Sequence, residues 1–543
     1  MNTRIETLSE WIAGFHLNDA PERVTKMARL EVLDCLASIC AGYRSVAGRK
    51  IYRALEAFSG GEGIYTILPT GEKWPLENTI YLHSALINTL ELDNFSYMGH
   101  LSESAFPVAL AIAEKTGASD QDFLESFICA QEVSGRMGAY MASGRLQGHM
   151  RSFLHRIAAA VATVKLYRCP PDIIAHAISI ALSSPEMPMF PASFSPDTKI
   201  TCVSSATVEG VRSAFLAMQG FEGTRDIIEH PAGFIKVFSS LNHVPDFWKS
   251  LGKTWVMDTL SFKYYSSCGY SQGPVNAVLQ ALGGRKVRME DIRSVQLHSP
   301  ILTVVMEAFS KPHHGSGLTP VNINFSTKRS ASAAILFGSL DGNFWADGQD
   351  VQYHDRINEL CDKVTIHHHW KHTIEMILGM DACLEHAGYP VLFDIGGSDS
   401  TLKYLKTTYR NRTIFRLSEF KEFLRLPKGY ARYLVLRAMK SYIARLGLTN
   451  RKSFESDLSK MKFRIGTTAE IIMNSGEVLK GFCDVPKGFA GDPDQAARGH
   501  EKYERECIPV WGEEKTKGML LQVMSKGLPL IPSFLEQGDA HKY

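Results

Sequence analysis

Glu91-Leu-Asp-Asn-Phe-Ser-Tyr-Met-Gly-His100-Leu-Ser-Glu-Ser-Ala-Phe-Pro107 sets carboxylates, an amide, hydroxyls and a histidine between two apolar helical segments. Ala105 to Ala113, just behind it, is too apolar for a surface helix, so the polar residues stand where a buried helix begins. Such a helix start offers unpaired N–H groups and a partial positive charge, which suits an anionic ligand, and His100 exchanges a proton near neutral pH. Taken alone, the stretch also reads as a polar loop with one ordinary histidine.

Working outward, the same grammar recurs. Ahead of it, Asn18-Asp-Ala-Pro-Glu22 opens a helix that runs to Gly42 and is apolar on nearly every side after Val32. A second helix over Tyr81 to Leu90 leads into the quoted stretch, and a third covers Ser104 to Thr116. Ser119-Asp-Gln-Asp122 is a capping-box variant that starts a helix reaching about Met141. The turn Arg145-Leu-Gln-Gly-His149-Met-Arg151 then precedes an alanine-rich helix, Ile157 to Leu166. Two histidines placed alike before close-packing helices suggest one shared cavity. Further helices are expected from Pro170-Pro171 to Ser183 and from Ser205 to Gly220.

Beyond about Leu260 the pattern changes. Val295-Gln-Leu-His-Ser and Val364-Thr-Ile-His-His alternate as strands do, and Ala469 to Leu479 reads as a hairpin turned at Asn474-Ser-Gly476. Pro274 to Leu282 and Ser326 to Phe337 read as helices. The expected fold class is mainly α with an α+β second part: a large helical-bundle domain and a smaller α/β lid. Its expected limits are 1–262 for the first part of the helical domain, 263–486 for the lid with a helical insertion over about 370–459, and 487–543 for a return to the helical domain.

The 543 residues exceed one ordinary core. A net charge of +2 with scattered basic residues gives no nucleic-acid stripe and no polybasic membrane surface, leaving small molecules as the expected partners. Met1 to Glu10 lacks the apolar core of a signal peptide, and Asp34, Glu114 and Lys165 interrupt the most apolar runs, so a cytoplasmic location is expected. The ten cysteines form no Cys-x-x-Cys pair and read as buried apolar residues. His367-His-His369 with His372 tempts a metal reading, but strand alternation sends neighbouring histidines to opposite faces, and no metal is expected. His155 and His176, on helices among alanines, read as packing residues.

The order of these features resembles the MmgE/PrpD family, which includes 2-methylcitrate dehydratases, cis-aconitate decarboxylases and iminodisuccinate epimerases. Leu33-Asp-Cys-Leu36 to Gly42 is similar to the family's early helix, Asp93-Asn94 with His100 and Ser102 to its "DD…HPS" element, and Glu132-Val-Ser-Gly-Arg136 to its "EV..R" helix. Gly148-His149 with Lys165-Leu166, Thr198-Lys199 before Gly220, and Lys263-Tyr-Tyr-Ser-Ser-Cys268 continue in the same order. The resemblance implies a homodimer with a cofactor-free active site between the helical domain and its lid. It assigns His100, His149 and Asp93 to catalysis, and Lys199 and Lys263 to substrate carboxylates. By composition alone the two lysines are solvated side chains. Arg151 and Gln272 are candidate substrate contacts. Asn94, Leu101, Met150 and Gln272 depart from the family pattern, the last where a histidine is usual.

The expected activity is that of a lyase acting on a small di- or tricarboxylate by dehydration or decarboxylation. Two histidines would exchange protons while lysines clamp carboxylates, Asp93 orienting His100. An isomerase or epimerase using the same groups, or a non-catalytic acid-binding homologue, are the alternatives.

Overall fold

Three helices deliver the chain to the quoted stretch and away from it. Helix α1 (Glu22–Arg44) follows Pro21, carries Glu22 in its first turn and is buried without interruption from Ala28 to Gly42. Helix α2 (Leu76–Asn88) begins after Pro75, earlier than the apolar pattern alone indicated, because Pro75 fixes the entry and Glu77 complements the first turn. Helix α3 (Ser102–Thr116) ends at Gly117, whose φ of 64° closes its last turn. The computed structural model describes residues 3–59, 62–96, 99–139, 152–186, 192, 194, 196–238, 248, 250–307, 317–381, 425, 429–430 and 457–525.

Against α3 pack α4 (Asp120–Ala139), α5 (Ser152–Leu166) and α7 (Ser204–Met218), and α6 (Pro171–Ser183) packs behind them on α5 and α7. Ser119 and Asp122 close a reciprocal cap at the start of α4, the Asp122 N–H donating to Ser119 Oγ and the Ser119 N–H to Asp122 Oδ2, each at 3.2 Å. Alanines from Ala158 to Ala162 let α5 lie close to its neighbours, and Gly210 of α7 faces the Arg156 carbonyl where a methyl group would collide.

The second part is a four-stranded sheet with helices on one face. The strands are β3 (Ile292–Ser299), β4 (Val364–His368), β5 (Thr467–Met473) and β6 (Val478–Cys483), in the order β4-β3-β5-β6. β1 (Asn94–Phe95) and β2 (Ser261–Phe262) form a separate antiparallel pair. β3 and β4 run parallel, which requires a crossover, and helices Thr327–Phe337 and His354–Lys363 provide it. β5 and β6 form the expected hairpin, turning at Gly476 with φ 92°. Alternate residues Thr467, Ala469, Ile471 and Met473 point inward beneath helix Gln272–Leu282, which packs on β5 and β6.

The chain then returns to the helices. Gln495–Trp511 packs along α1, and Glu513–Met524 follows it. The two largest apolar clusters among the described residues lie one among the helices and one between the sheet and its helices. Leu90 and Leu92 belong to the sheet cluster, whereas Leu101 and Phe262 belong to the helical one. The quoted stretch therefore crosses the seam between them. Trp370–Asp381 is helical, while most of the expected insertion beyond it lies outside the described residues.

Candidate active site

The seam is built by one short strand pairing. Asn94 pairs with Phe262 and Phe95 with Ser261, so the residues just outside the ladder, Asp93 and Lys263, meet side by side. Lys263 Nζ donates to Asp93 Oδ1 at 2.8 Å and to Glu91 Oε2 at 2.6 Å. Asp93 Oδ2 lies 2.5 Å from His100 Nδ1. The Ser96 and Gly99 backbones bond each other reciprocally, at 3.0 and 2.9 Å, and this tight return brings His100 back over Asp93.

Lys199 arrives from a different segment, the single turn Thr198–Thr201. Its Nζ donates to the second oxygen of Glu91 and to Asn88 Oδ1. Asn88 Nδ2 in turn donates to the Lys199 and Ile200 carbonyls, both at 3.2 Å, which ties that turn to the end of α2. Glu91 thus bridges two lysines, and its backbone has a φ of 53°, in the left-handed region. A non-glycine residue held there costs about 1–3 kcal/mol, which the surrounding bonds offset.

Glu91, Asp93, Lys199 and Lys263 are all buried, whereas the His100 side chain is 29% exposed and forms the site's open edge. Buried charges persist only when paired. Burial would raise the Asp93 carboxyl, but Lys263 and His100 outweigh it and hold the group below the usual carboxylate range. Burial, and then the charge of Lys263, push Lys199 down. Glu103, in the first turn of α3, goes the other way: burial and the charge of Asp93 raise it well above its ordinary value. His155 Nε2 stands 3.8 Å from Glu103 Oε2, and His155 Nδ1 lies 2.6 Å from Ser104 Oγ.

A further shell fixes the backbone. Lys502 Nζ, from the returning helix Gln495–Trp511, donates to Asp34 Oδ1 at 2.6 Å and to the Leu92 carbonyl. Asn94 Nδ2 donates to Asp34 Oδ2 at 3.1 Å, and Asn94 Oδ1 accepts from Ser102 Oγ at 2.9 Å. An aspartate at position 94 would set a third carboxylate against Asp34 and would lack the donor that Asn94 supplies.

Of the residues singled out by sequence, Asp93, His100, Lys199 and Lys263 converge here. His149 and Arg151 lie outside the described residues. Gln272 is buried, and its amide bonds inside the chain: Nε2 donates to the Tyr265 and Ser267 carbonyls, both at 2.7 Å, and Oε1 accepts from the Tyr265 N–H at 3.2 Å. It braces the loop that follows Lys263. His155 and His176 have partners within the helical part, the latter accepting from the Gly223 N–H at 3.0 Å.

Glu91, Glu103, Asn88 and Lys502 were not singled out by sequence. Glu91 stood only two residues before Asp93, but the left-handed bend at residue 91 that turns it onto the lysines had no signal in the sequence. Lys502 carried none.

Asp93, His100 and Glu103 are the one group among the described residues whose ligand atoms, all within 4.8 Å of one another, have a spacing that suits a metal ion. Asp93 already gives one oxygen to Lys263 and the other to His100, so a cation there must displace one of them. His367 and His368 bond instead to Gln296 Oε1, at 2.6 Å, and Thr373 Oγ1, at 2.8 Å.

Residues 6–245 match the model of the MmgE/PrpD N-terminal domain. The matched segment holds Glu91, Asp93, His100 and Lys199, whereas Lys263 and Lys502 lie beyond it. A cis-aconitate decarboxylase of Aspergillus terreus is 25% identical over 313 residues, 53% of this chain and 63% of the relative. The cis-aconitate decarboxylase of Homo sapiens is 23% identical over 269 residues, 47% of this chain and 54% of the relative. The chain thus spans between half and two-thirds of the length of these relatives. Among the described residues no helix is long and apolar enough to cross a membrane.

Proposed function

We propose that the chain is a cofactor-independent lyase that decarboxylates or dehydrates a small di- or tricarboxylate. The observation that carries this reading is the convergence of an Asp93-held imidazole with two buried ammonium groups drawn from separate segments. Lys199 and Lys263 take substrate carboxylates and stabilise the negative charge that develops beside them. Asp93 fixes Nδ1 of His100, directing proton exchange to Nε2.

In a decarboxylation the bond to one carboxylate breaks, its electron pair stays on carbon, carbon dioxide leaves, and an imidazolium supplies the proton that carbon takes up. In a dehydration one histidine removes the α-proton and the other protonates the departing hydroxide. His149 is assigned the second role, and Arg151 a carboxylate. Each proton transfer contributes roughly 10²–10⁴-fold in rate. The names of the relatives make cis-aconitate the first substrate to try, and decarboxylation the first outcome to look for. We place the enzyme in the cytoplasm as a homodimer, and sedimentation tests the latter.

The deciding experiment is proton NMR of the purified protein in deuterated buffer with cis-aconitate, then with 2-methylcitrate. Loss of carbon dioxide or water with deuterium entering at carbon supports the lyase. Deuterium entering without either loss assigns an isomerase. Turnover that survives both His100→Ala and Lys263→Met removes the site assignment, and silence with every acid leaves a binding protein.

A further inference from the structure

Glu91 occupies the place where, on the reading above, a substrate carboxylate belongs. One of its oxygens bonds Lys199 and the other bonds Lys263, and among the described residues no other carboxylate touches both. The four buried charges match one to one: two ammonium groups against Glu91 and Asp93. Asp93 is further engaged by His100, so Glu91 is the partner that an incoming anion can replace.

Its backbone supports that role. A φ of 53° is uncommon for a long side chain and is held here by contacts at the far end of that side chain. The left-handed bend at residue 91 turns the carboxylate onto the lysines while Leu90 and Leu92, on either side, stay buried in the sheet cluster. Releasing one lysine removes one of those contacts without disturbing either leucine.

We propose that Glu91 is a built-in competitor for the lysine clamp, which sets the site's selectivity for ligands carrying two or more carboxylates. A monocarboxylate offers one group against an anchored carboxylate already at short range. A polycarboxylate takes one ammonium from Glu91 and gains its remaining contacts elsewhere in the site. Selection then comes from the contact an unsuitable ligand fails to displace. This inference rests on the lyase reading above.

The test is calorimetric titration of the unreactive tricarboxylate tricarballylate, with butyrate as the monocarboxylate control, into wild type, Glu91→Gln and Glu91→Asp. Glutamine removes the competing charge. Aspartate keeps a buried counter-ion but is one methylene too short to hold both lysines, so it decides the matter should the glutamine variant fail to fold. We expect tricarballylate to bind either variant at least about tenfold tighter, the equivalent of one charge-assisted hydrogen bond regained. The preference for tricarballylate over butyrate should narrow at the same time. Equal or weaker tricarballylate binding by a folded variant, with wild type binding normally, overturns the inference and leaves the lyase reading intact. No binding of tricarballylate by wild type or either variant overturns both.

Discussion

Replacing Asp93 by Asn tests the geometry at its centre. The substitution keeps the shape but removes the charge that Lys263 and His100 face at 2.8 and 2.5 Å. The amide oxygen still accepts from Lys263, but the amide nitrogen turned toward His100 is a donor, and it stabilises the tautomer whose Nδ1 is bare. Proton exchange at Nε2 is then wrongly set, and the rate should fall by about 10²–10⁴-fold, as expected when an imidazole loses its orienting carboxylate. On stability, a hydrogen bond to a charged group contributes about 1.5–3 kcal/mol; one is lost and one weakened, while the burial of a carboxylate is relieved, for a net loss of about 1–3 kcal/mol.

The sign with pH follows from the direction of the Asp93 shift. Its carboxyl lies lower in the folded chain than in the unfolded one, so its contribution is present above the unfolded value of about 3.9 and is lost as pH falls through the folded value. The gap between wild type and Asp93→Asn in urea midpoint should therefore persist from pH 5 to 8 and close only in stronger acid. Steady-state rates, a pH–rate profile and urea denaturation supply the measurements. An Asp93→Asn enzyme within threefold of wild type, with the same profile, would refute the argument that His100 works through Asp93.

Three other outcomes are expected. Lys502→Met strips Asp34 of its buried cation and should cost about 3–5 kcal/mol in urea unfolding, whereas the Lys502→Met/Asp34→Leu pair should recover much of it; equal loss in both would show that the ion pair is not the cause. Glu103 has a raised folded value, so wild-type stability should decline as pH rises from about 4 through that value, and Glu103→Gln, which stays neutral, should flatten the decline. Parallel urea midpoints for the two proteins from pH 5 to 8 would contradict a raised Glu103. Gln272→Leu forfeits the bonds to Tyr265 and Ser267 at about 0.5–1.5 kcal/mol each, and should lower thermal stability and loosen the loop after Lys263, seen as faster amide exchange at Tyr265.

How far this was legible in the sequence depended on distance along the chain. The helices were visible because apolar spacing, caps and breakers are local: Pro171–Ser183 follows directly from Pro170-Pro171, and the hairpin at Gly476 from its turn residues. Helix boundaries moved where a proline entry outweighed hydrophobic pattern, as at Pro75. The two-residue pairing of Asn94–Phe95 with Ser261–Phe262 was invisible, because strands this short have no periodicity. Yet that pairing is what seats Lys263 against Asp93, so the meeting of those two groups was suggested by family resemblance and not by pattern. Glu91 and Glu103 stood in plain view inside the quoted stretch. Their roles depend on burial and on which charge lies opposite, and neither is a property of local sequence.

The tie between Lys502 and the Leu92 carbonyl has a consequence for biosynthesis. Asp34 waits for a counter-ion encoded 468 residues later, so a nascent chain carries an acidic group whose buried partner is not yet made while all the residues between them are synthesised. Truncations that end before Lys502 should therefore leave Asp34 buried without its cation and yield products that quality-control proteases clear, however much of the candidate site they retain.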